Sequence, residues 1–265
     1  MKKITRSILK HLYHPPKNSR KGENGVLLII AGSEKYHGAP WYAIEIASKI
    51  VDLIYFYSVS GSMKLMREIK KNSPAFITIN SNELNDTVKK SDVILIGPGW
   101  GVSSENKKAL NSLLINYKDK KFVLDADALK MADKKLLNTN CLVTPHPGEF
   151  EKLFGIKASP ENCARMAKNC CCYIVLKGKN DYVCSLKECF INTTGNEGMT
   201  KGGTGDVLSG LVAALACKND LFLAGQVGVL INGLAGDNLY KKVGVYYNAG
   251  DLIEEIPKVL NIRLY

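Results

Sequence analysis

The chain has 265 residues, 46% of them hydrophobic, which suffices for one full α/β core over 1–265, and no low-complexity tract, internal repeat or Pro/Gly/Ser linker divides it. The formal charge of +11 is spread along the chain and only 5 of its 36 basic residues are Arg, a solvated Lys-rich exterior that attracts anionic nucleotides rather than a nucleic-acid surface. The basic amino terminus lacks an apolar h-region, and the most apolar stretch, 221–236, is too short to span a bilayer and contains Gln226 and Asn232, so a soluble, cytoplasmic protein without a membrane partner is expected.

Ile4, Ile8 and Leu12 are spaced for one face of a short helix that stops before Pro15 and Pro16. After a polar loop over 17–25, VLLIIA at 26–31 reads as a strand buried on both faces. Gly32-Ser33 through Gly38-Ala39 joins it to a helix over 40–50; this segment is either a ligand loop at a strand's carboxyl end or an ordinary turn. Strand 53–57, helix 63–70, strand 76–79, helix 83–90 and strand 93–96 follow. The last strand ends in Gly97-Pro98-Gly99-Trp100-Gly101, whose three glycines keep side chains out of a cleft. No GxGxxG or GxxxxGK[ST] occurs in the chain, which counts against the two commonest nucleotide folds.

A helix over 108–115 and a strand over 122–124 lead to Asp125-Ala126-Asp127, where either Asp caps the next helix or meets a ligand or metal. Strand 141–143 ends in TPHPGE; two prolines fix His146 as a structural or ligand-contacting residue, and Glu149 suits the first turn of a helix. A helix over 160–169 and a strand over 173–176 precede Lys177, Gly178, Lys179, Asn180 and Asp181, and DYVCSLKECFIN reads as a hairpin turning near Leu186 and Lys187. Adjacent Cys170, Cys171 and Cys172 are poorly placed to chelate one ion and read as buried, reduced thiols. No disulfide framework is expected of the eight Cys in so large a chain.

The chain is organised around GNEGMTKGGTGDVLSG at 195–210, where six of sixteen residues are Gly. The apolar run from Val207 is a buried helix whose first turn carries Gly203, Thr204, Gly205 and Asp206. Free N–H groups at such a turn, with the positive helix end, bind phosphate. Asp206 is either a dipole-balancing cap or a base that takes a proton from an attacking hydroxyl, and the glycines before it favour the second. A long helix over 221–242 and a last one over 249–256 complete a doubly wound, mainly parallel sheet with helices on both faces. The glycine loops and His146 fall at strand ends and share one crevice suited to phosphoryl transfer from a nucleotide with Mg²⁺.

GSxxYxGA (Gly32, Ser33, Tyr36, Gly38, Ala39), GPGWG, DADAL from Asp125, TPHPGE from Thr144, Lys177-Gly178 and the 195–210 stretch follow in the order seen in the ADP/ATP-dependent NAD(P)H-hydrate dehydratases, ribokinase-like repair enzymes. The chain resembles that family from about residue 21 to about residue 251. The resemblance implies repair of the S epimer of NADH or NADPH hydrate (NADHX, NADPHX): phosphorylation of the ring hydroxyl by ADP or ATP with Mg²⁺, then loss of phosphate. It implies Asp206 as the base, Gly202, Gly203, Thr204 and Gly205 as the anion hole, and Ala39, Gly99, Gly101 and His146 as substrate contacts. It further implies an AMP site at Lys177, Gly178, Lys179, Asn180, Asp181 and Gly205, no protein metal ligand, a homotetramer, and a partner epimerase as a separate protein. The chain departs from the family's pattern at Trp100, Glu197, Thr200 and Lys201, which bears on donor preference; Lys201 can offset the charge of Glu197. The alternatives are a hydroxymethylpyrimidine or thiazole kinase of the same superfamily and, more remotely, a non-catalytic nucleotide-binding module.

Overall fold

The computed structural model describes residues 1–58, 70–71 and 75–261. Its strands are β1 (Lys2–Lys3), β2 (Val26–Ile30), β3 (Leu53–Tyr57), β4 (Ile77–Thr78), β5 (Val93–Ile96), β6 (Lys121–Leu124), β7 (Cys141–Val143), β8 (Tyr173–Leu176), β9 (Asp181–Cys184) and β10 (Cys189–Asn192). They form one sheet in the order β1-β10-β9-β8-β7-β6-β5-β2-β3-β4. Every neighbouring pair is parallel except those involving β9, which runs antiparallel to β8 and β10.

The central strands are unbroken apolar runs because both faces of the sheet are covered. Along β2, Leu27 and Ile29 enter one core while Leu28 and Ile30 enter the other. The first core is filled by α1 (Gly38–Ser48), α7 (Thr204–Ala216), α8 (Leu221–Val243) and α9 (Ala249–Asn261). The second is filled by α2 (Leu84–Lys90), α3 (Ser104–Asn116), α4 (Asp127–Met131), α5 (Pro147–Phe154) and α6 (Pro160–Asn169). Side-chain caps fix several helix starts: Ser103 accepts from the Asn106 N–H and Asp220 from the Leu223 N–H.

This topology places the site. From β2 the chain builds outward through β3 and β4, then returns to lay β5 on the other side of β2. The switch point therefore lies between β2 and β5, and a crevice opens beyond their carboxyl ends. The loops after these strands touch there, with the Gly32 N–H donating to the Pro98 carbonyl at 2.9 Å.

Three sequence expectations need correction, and one lies beyond reach. The expected helix at 4–12 is a 3₁₀ helix over Arg6–His11, and the strand β1 before it pairs with β10, two lysines being too short and polar for periodicity to register. Of the three adjacent cysteines only Cys172 is buried; Cys170 is half-buried and Cys171 exposed, though all are free thiols. Cys184 and Cys189 are joined by a disulfide, because the hairpin register places them directly opposite with Cα atoms 4.1 Å apart. The helix expected over 63–70 lies, but for Lys70, outside the described residues.

Helix α7 sits against α1 so closely that a methyl group on Gly210 would stand 2.6 Å from the Ala43 carbonyl oxygen and 2.7 Å from its Cα. Alanine gains about 1 kcal/mol over glycine in a helix interior, but here backbone would have to move. Gly210→Ala is expected to lower stability by about 1–3 kcal/mol, as overpacking does, and urea unfolding measures it.

Candidate active site

The crevice floor is built from the loops after β2, β5 and β6. Gly99 holds a φ of 61°, and a Cβ there would lie 2.8 Å from the Tyr36 Cβ and 3.1 Å from the Ala39 Cβ. Only glycine allows this approach, which sets Gly99 beside Ala39. The Gly101 N–H donates to Asp127 Oδ2 at 2.8 Å, and Asp127 Oδ1 holds the Lys130 ammonium at the same distance. Neither Asp125 nor Asp127 caps α4 with its side chain, so the capping alternative fails for both. Trp100, which departs from the family's pattern, points into the core and is 1% exposed.

At the start of α5, His146 caps the helix. Its Nδ1 accepts from the N–H groups of Gly148 and Glu149 at 3.1 and 3.3 Å, while Glu149 Oε2 accepts from the His146 N–H at 3.0 Å. The ring is thus fixed in orientation yet 57% exposed, with Nε2 3.4 Å from Glu149 Oε1. Both sequence readings of His146 remain open: it is structural through one nitrogen and accessible through the rest of the ring.

Lys177 directly follows β8, and its N–H donates to the Pro145 carbonyl at 2.9 Å. Its ammonium lies 2.8 Å from Asp125 Oδ1 and 3.9 Å from Glu149 Oε2. Burial works to lower its pKa, but Asp125 and Glu149 outweigh burial and hold it above the usual lysine value. A Cβ on Gly205 would fall 3.7 Å from this ammonium, so the lysine reaches the start of α7.

The start of α7 is bare. Gly203 precedes it with a φ of 95°, and no side chain caps its first turn. Thr204 faces inward instead, its hydroxyl donating to the carbonyls of Met199 and Lys201 at 2.7 and 2.9 Å. The Thr204 N–H leans on the Lys201 carbonyl at 3.4 Å, and those of Gly205 and Asp206, which have no partner among the described residues, can take an anion. Asp206 stands in that turn. Burial and then Asp125 push its carboxyl up to about 7, with Glu149 and Asp127 adding and Lys177 opposing. An acid poised there can accept a proton at neutral pH.

Beyond Lys177 and Gly205 lies a cavity of about 580 Å³ lined by Gly178, Lys179, Asn180, Asp181 and Thr204 on one side and by Val229, Asn232 and Gly233 of α8 on another. Gly202 is next to it in sequence but is not among its lining residues, and neither are Ala39, Gly99, Gly101, His146 and Asp206. The predicted residues therefore divide into a crevice set and a cavity set that meet at Lys177, Gly205 and Asp206. Glu197 borders the cavity and is exposed. Lys201 turns from it, donating to the Val245 carbonyl and lying 5.1 Å from the centre of the Tyr247 ring.

Sequence reasoning missed two groups. Asn196 is locked by Asp237 and Tyr247, at 3.2 and 2.6 Å, which shapes the glycine stretch before α7. Asn232 lines the cavity, and its only signal is a polar residue interrupting an apolar helix. The described residues hold no cluster of three or more His, Cys, Asp or Glu suited to a metal ion, and no helix among them is long and apolar enough to cross a membrane.

Fold and site define a ribokinase-like α/β protein with an uncapped, glycine-led helix start beside its crevice. Residues 27–258 match the NAD(P)H-hydrate dehydratase family, and the chain belongs to it. The chain is similar, at 43% identity over 96% of its length, to a bifunctional NAD(P)H-hydrate repair enzyme of Methanocaldococcus jannaschii, of which it covers 52%. It is 34% identical to an ADP-dependent (S)-NAD(P)H-hydrate dehydratase of Nitrosopumilus maritimus, covering 98% of this chain and 96% of that one. Among solved structures it resembles the ADP/ATP-dependent NAD(P)H-hydrate dehydratase of Bacillus subtilis co-crystallised with ATP and Mg²⁺, with a TM-score of 0.86, 25% identity and coverage of 99% and 98%. The chain spans about half the length of the first relatives it matches.

The raised Asp206 pKa has a definite sign for stability. A carboxyl whose pKa is higher folded than unfolded destabilises the fold increasingly as pH rises from the unfolded value, near 3.8, through about 7. Asp206→Asn is therefore expected to melt above the wild type at alkaline pH, with the gap closing in acid below the unfolded value. Melting scans across pH check this, and an equal gap at every pH would contradict it.

Proposed function

We propose that the chain catalyses ADP- or ATP-dependent dehydration of the S epimer of NADH or NADPH hydrate, restoring NADH or NADPH, and so acts as a hydro-lyase. The observation that carries this reading is the half-buried Asp206 carboxyl in the uncapped first turn of α7, within the electrostatic reach of Lys177. Family membership and the similarity to named dehydratases support it.

In this reading the nucleotide occupies the cavity at Lys177, Gly178, Lys179, Asn180 and Asp181, with its terminal phosphate at the N–H groups of Gly202, Gly203, Thr204 and Gly205. The hydrated nicotinamide lies in the crevice against Ala39, Gly99, Gly101 and His146. Asp206 takes the proton of the ring hydroxyl as its oxygen attacks the phosphoryl group; the new O–P bond forms as the donor's O–P bond breaks. The oriented N–H groups and Lys177 stabilise the charge on the moving phosphoryl. The ring nitrogen's lone pair then expels phosphate, a far better leaving group than hydroxide, and the neighbouring carbon loses a proton to restore the dihydronicotinamide.

Mg²⁺ would enter this site carried on the nucleotide's phosphates and water. Bound there it neutralises phosphate charge. We read residues 1–265 as one domain working in the cytoplasm as a homotetramer beside a separate NAD(P)H-hydrate epimerase. Exposed Tyr240, Val243 and Tyr246, at and just beyond the end of α8, offer apolar surface suited to a second copy.

The test mixes the protein, Mg²⁺ and epimeric NADPH hydrate with ADP or ATP and follows the near-ultraviolet absorbance of the dihydronicotinamide. Absorbance is expected to rise only with nucleotide, and Asp206→Asn is expected to slow it by about 10²–10⁴-fold, the usual worth of a general base. A flat trace with both nucleotides, alongside phosphorylation of a hydroxymethylpyrimidine or thiazole, would replace the dehydratase reading with the kinase one.

The carboxylates around Lys177 make a second forecast. Asp125 is a negative neighbour that raises the Asp206 pKa, so Asp125→Asn is expected to move the acid limb of the rate profile to lower pH. Initial rates from acid to alkaline pH measure it, and an unmoved limb in an active variant would count against Asp206 as the base.

A further inference from the structure

The crevice gathers the carboxylates of Asp125, Asp127, Glu149 and Asp206 near the Lys177 ammonium, which Asp125 already holds at 2.8 Å. A dinucleotide brings negative charge of its own to such a place, on a diphosphate that stays outside the reacting ring, and a cation must meet it. Lys35, next to Tyr36, is exposed, its ammonium 5.4 Å from the centre of the Tyr36 ring. Lys130 is held in place instead. It lies on α4 one helical turn after Asp127, and its ammonium is drawn back toward the crevice end of the helix, 2.8 Å from Asp127 Oδ1. Asp127 Oδ2 accepts the Gly101 N–H, so the ammonium stands one carboxylate away from the loop after β5. The hydrogen bond to Asp127 raises the Lys130 pKa against burial, and the charges of Asp127, Glu149 and Tyr36 raise it further. Those neighbours belong to three elements that bound the crevice: the start of α4, the start of α5 and the loop after β2. The side chain is 35% exposed. One of the three ammonium N–H groups is engaged by Asp127, and the other two have no partner among the described residues.

We infer, on the proposed function above, that Lys130 binds the diphosphate of the hydrated dinucleotide and is a substrate-binding residue of the crevice. A nicotinamide ring set against Gly99 and Gly101 leaves its diphosphate one ribose away, and Lys130 stands off Gly101 by the single carboxylate of Asp127. An ammonium already fixed by that carboxylate loses little freedom on meeting a phosphate oxygen. Its two remaining N–H groups make charge-assisted hydrogen bonds there. Lys177 is engaged on the phosphoryl side by Asp125 and Glu149, and Lys35 has no carboxylate to hold it at this loop among the described residues. Neutralising Asp127 alone would be a different role, because it gives Lys130 no part in binding the charge of the substrate.

Initial rates with (S)-NADH hydrate, at saturating nucleotide and Mg²⁺, test this in the full chain, in Lys130→Met, which keeps the stem and loses the charge, and in Lys130→Arg. Lys130→Met is expected to raise KM about tenfold, as for loss of a hydrogen bond between charged groups, with kcat within about threefold. Lys130→Arg keeps the charge and is expected to hold KM within about threefold of the wild type. The gap in KM between wild type and Lys130→Met is expected to narrow as NaCl is raised from about 0.01 M to about 1 M, because salt screens a contact between charges. A double variant, Lys130→Met with Asp127→Asn, removes the local pair whole, leaves no unpaired carboxylate to unsettle the fold, and is expected to keep the raised KM. A wild-type KM in the double variant would reduce Lys130 to a partner of Asp127 and overturn the inference. An unchanged KM in Lys130→Met, or a gap indifferent to salt, overturns it as well. Wild type that leaves the hydrate unaltered with both nucleotides overturns the proposed function and the inference together.

Discussion

The site depends on keeping one ammonium ion charged beneath a group of carboxylates. Lys177 sits where water is scarce, and only its 2.8 Å contact with Asp125, with Glu149 farther off, makes that placement tolerable. Asp125, Asp127, Glu149 and Asp206 would otherwise repel one another in a confined space. Asp127 is answered locally by Lys130, whereas burial and Asp125 push the Asp206 carboxyl up to about 7. A carboxyl that ionises only near neutrality burdens the fold at the pH where it is useful, and function is what retains such a residue.

Topology delivers these groups without long loops. Asp125 follows β6, Glu149 lies just past β7 and Lys177 follows β8, and the three strands are consecutive neighbours in the sheet. The reversal between β2 and β5 opens the crevice beside them. The antiparallel β9 then folds back, and Asp181 at its start joins the cavity's lining. Asn192 fastens this strand, its amide donating to Asp181 Oδ2 at 3.0 Å and to the Val229 carbonyl of α8 at 3.2 Å. The hairpin and α8 are therefore held at a fixed separation by one buried side chain.

Much of this was legible in the sequence because the signals were periodic or conformational. Apolar runs such as VLLIIA announced strands buried on both faces, and glycines announced Gly99 and Gly203, where side chains would collide with Tyr36 or Tyr42. What stayed hidden was pairing across the sheet. Nothing local to Asp125 indicates a lysine fifty-two residues away, and nothing local to Cys184 fixes the register that faces it with Cys189. His146 was recognised as constrained, but the prolines could not say that its own nitrogen would cap α5. Asn232 was visible only as an interruption in a hydrophobic helix.

The departures from the family's pattern acquire different weights once placed. Trp100 replaces a smaller residue yet turns into the core rather than the crevice, where its buried indole N–H has no hydrogen-bond partner. Glu197 is a different matter, because it stands at the cavity rim while Lys201, the nearest candidate to neutralise it, is engaged with the Val245 carbonyl and the Tyr247 ring. A carboxylate at that rim repels phosphate, though its exposure lets water and salt screen much of the repulsion. The net charge of +11 acts in the opposite direction over a longer range. Under the proposed function, anion entry therefore follows the whole molecule's field, while Lys177 and the bare start of α7 act at short range inside.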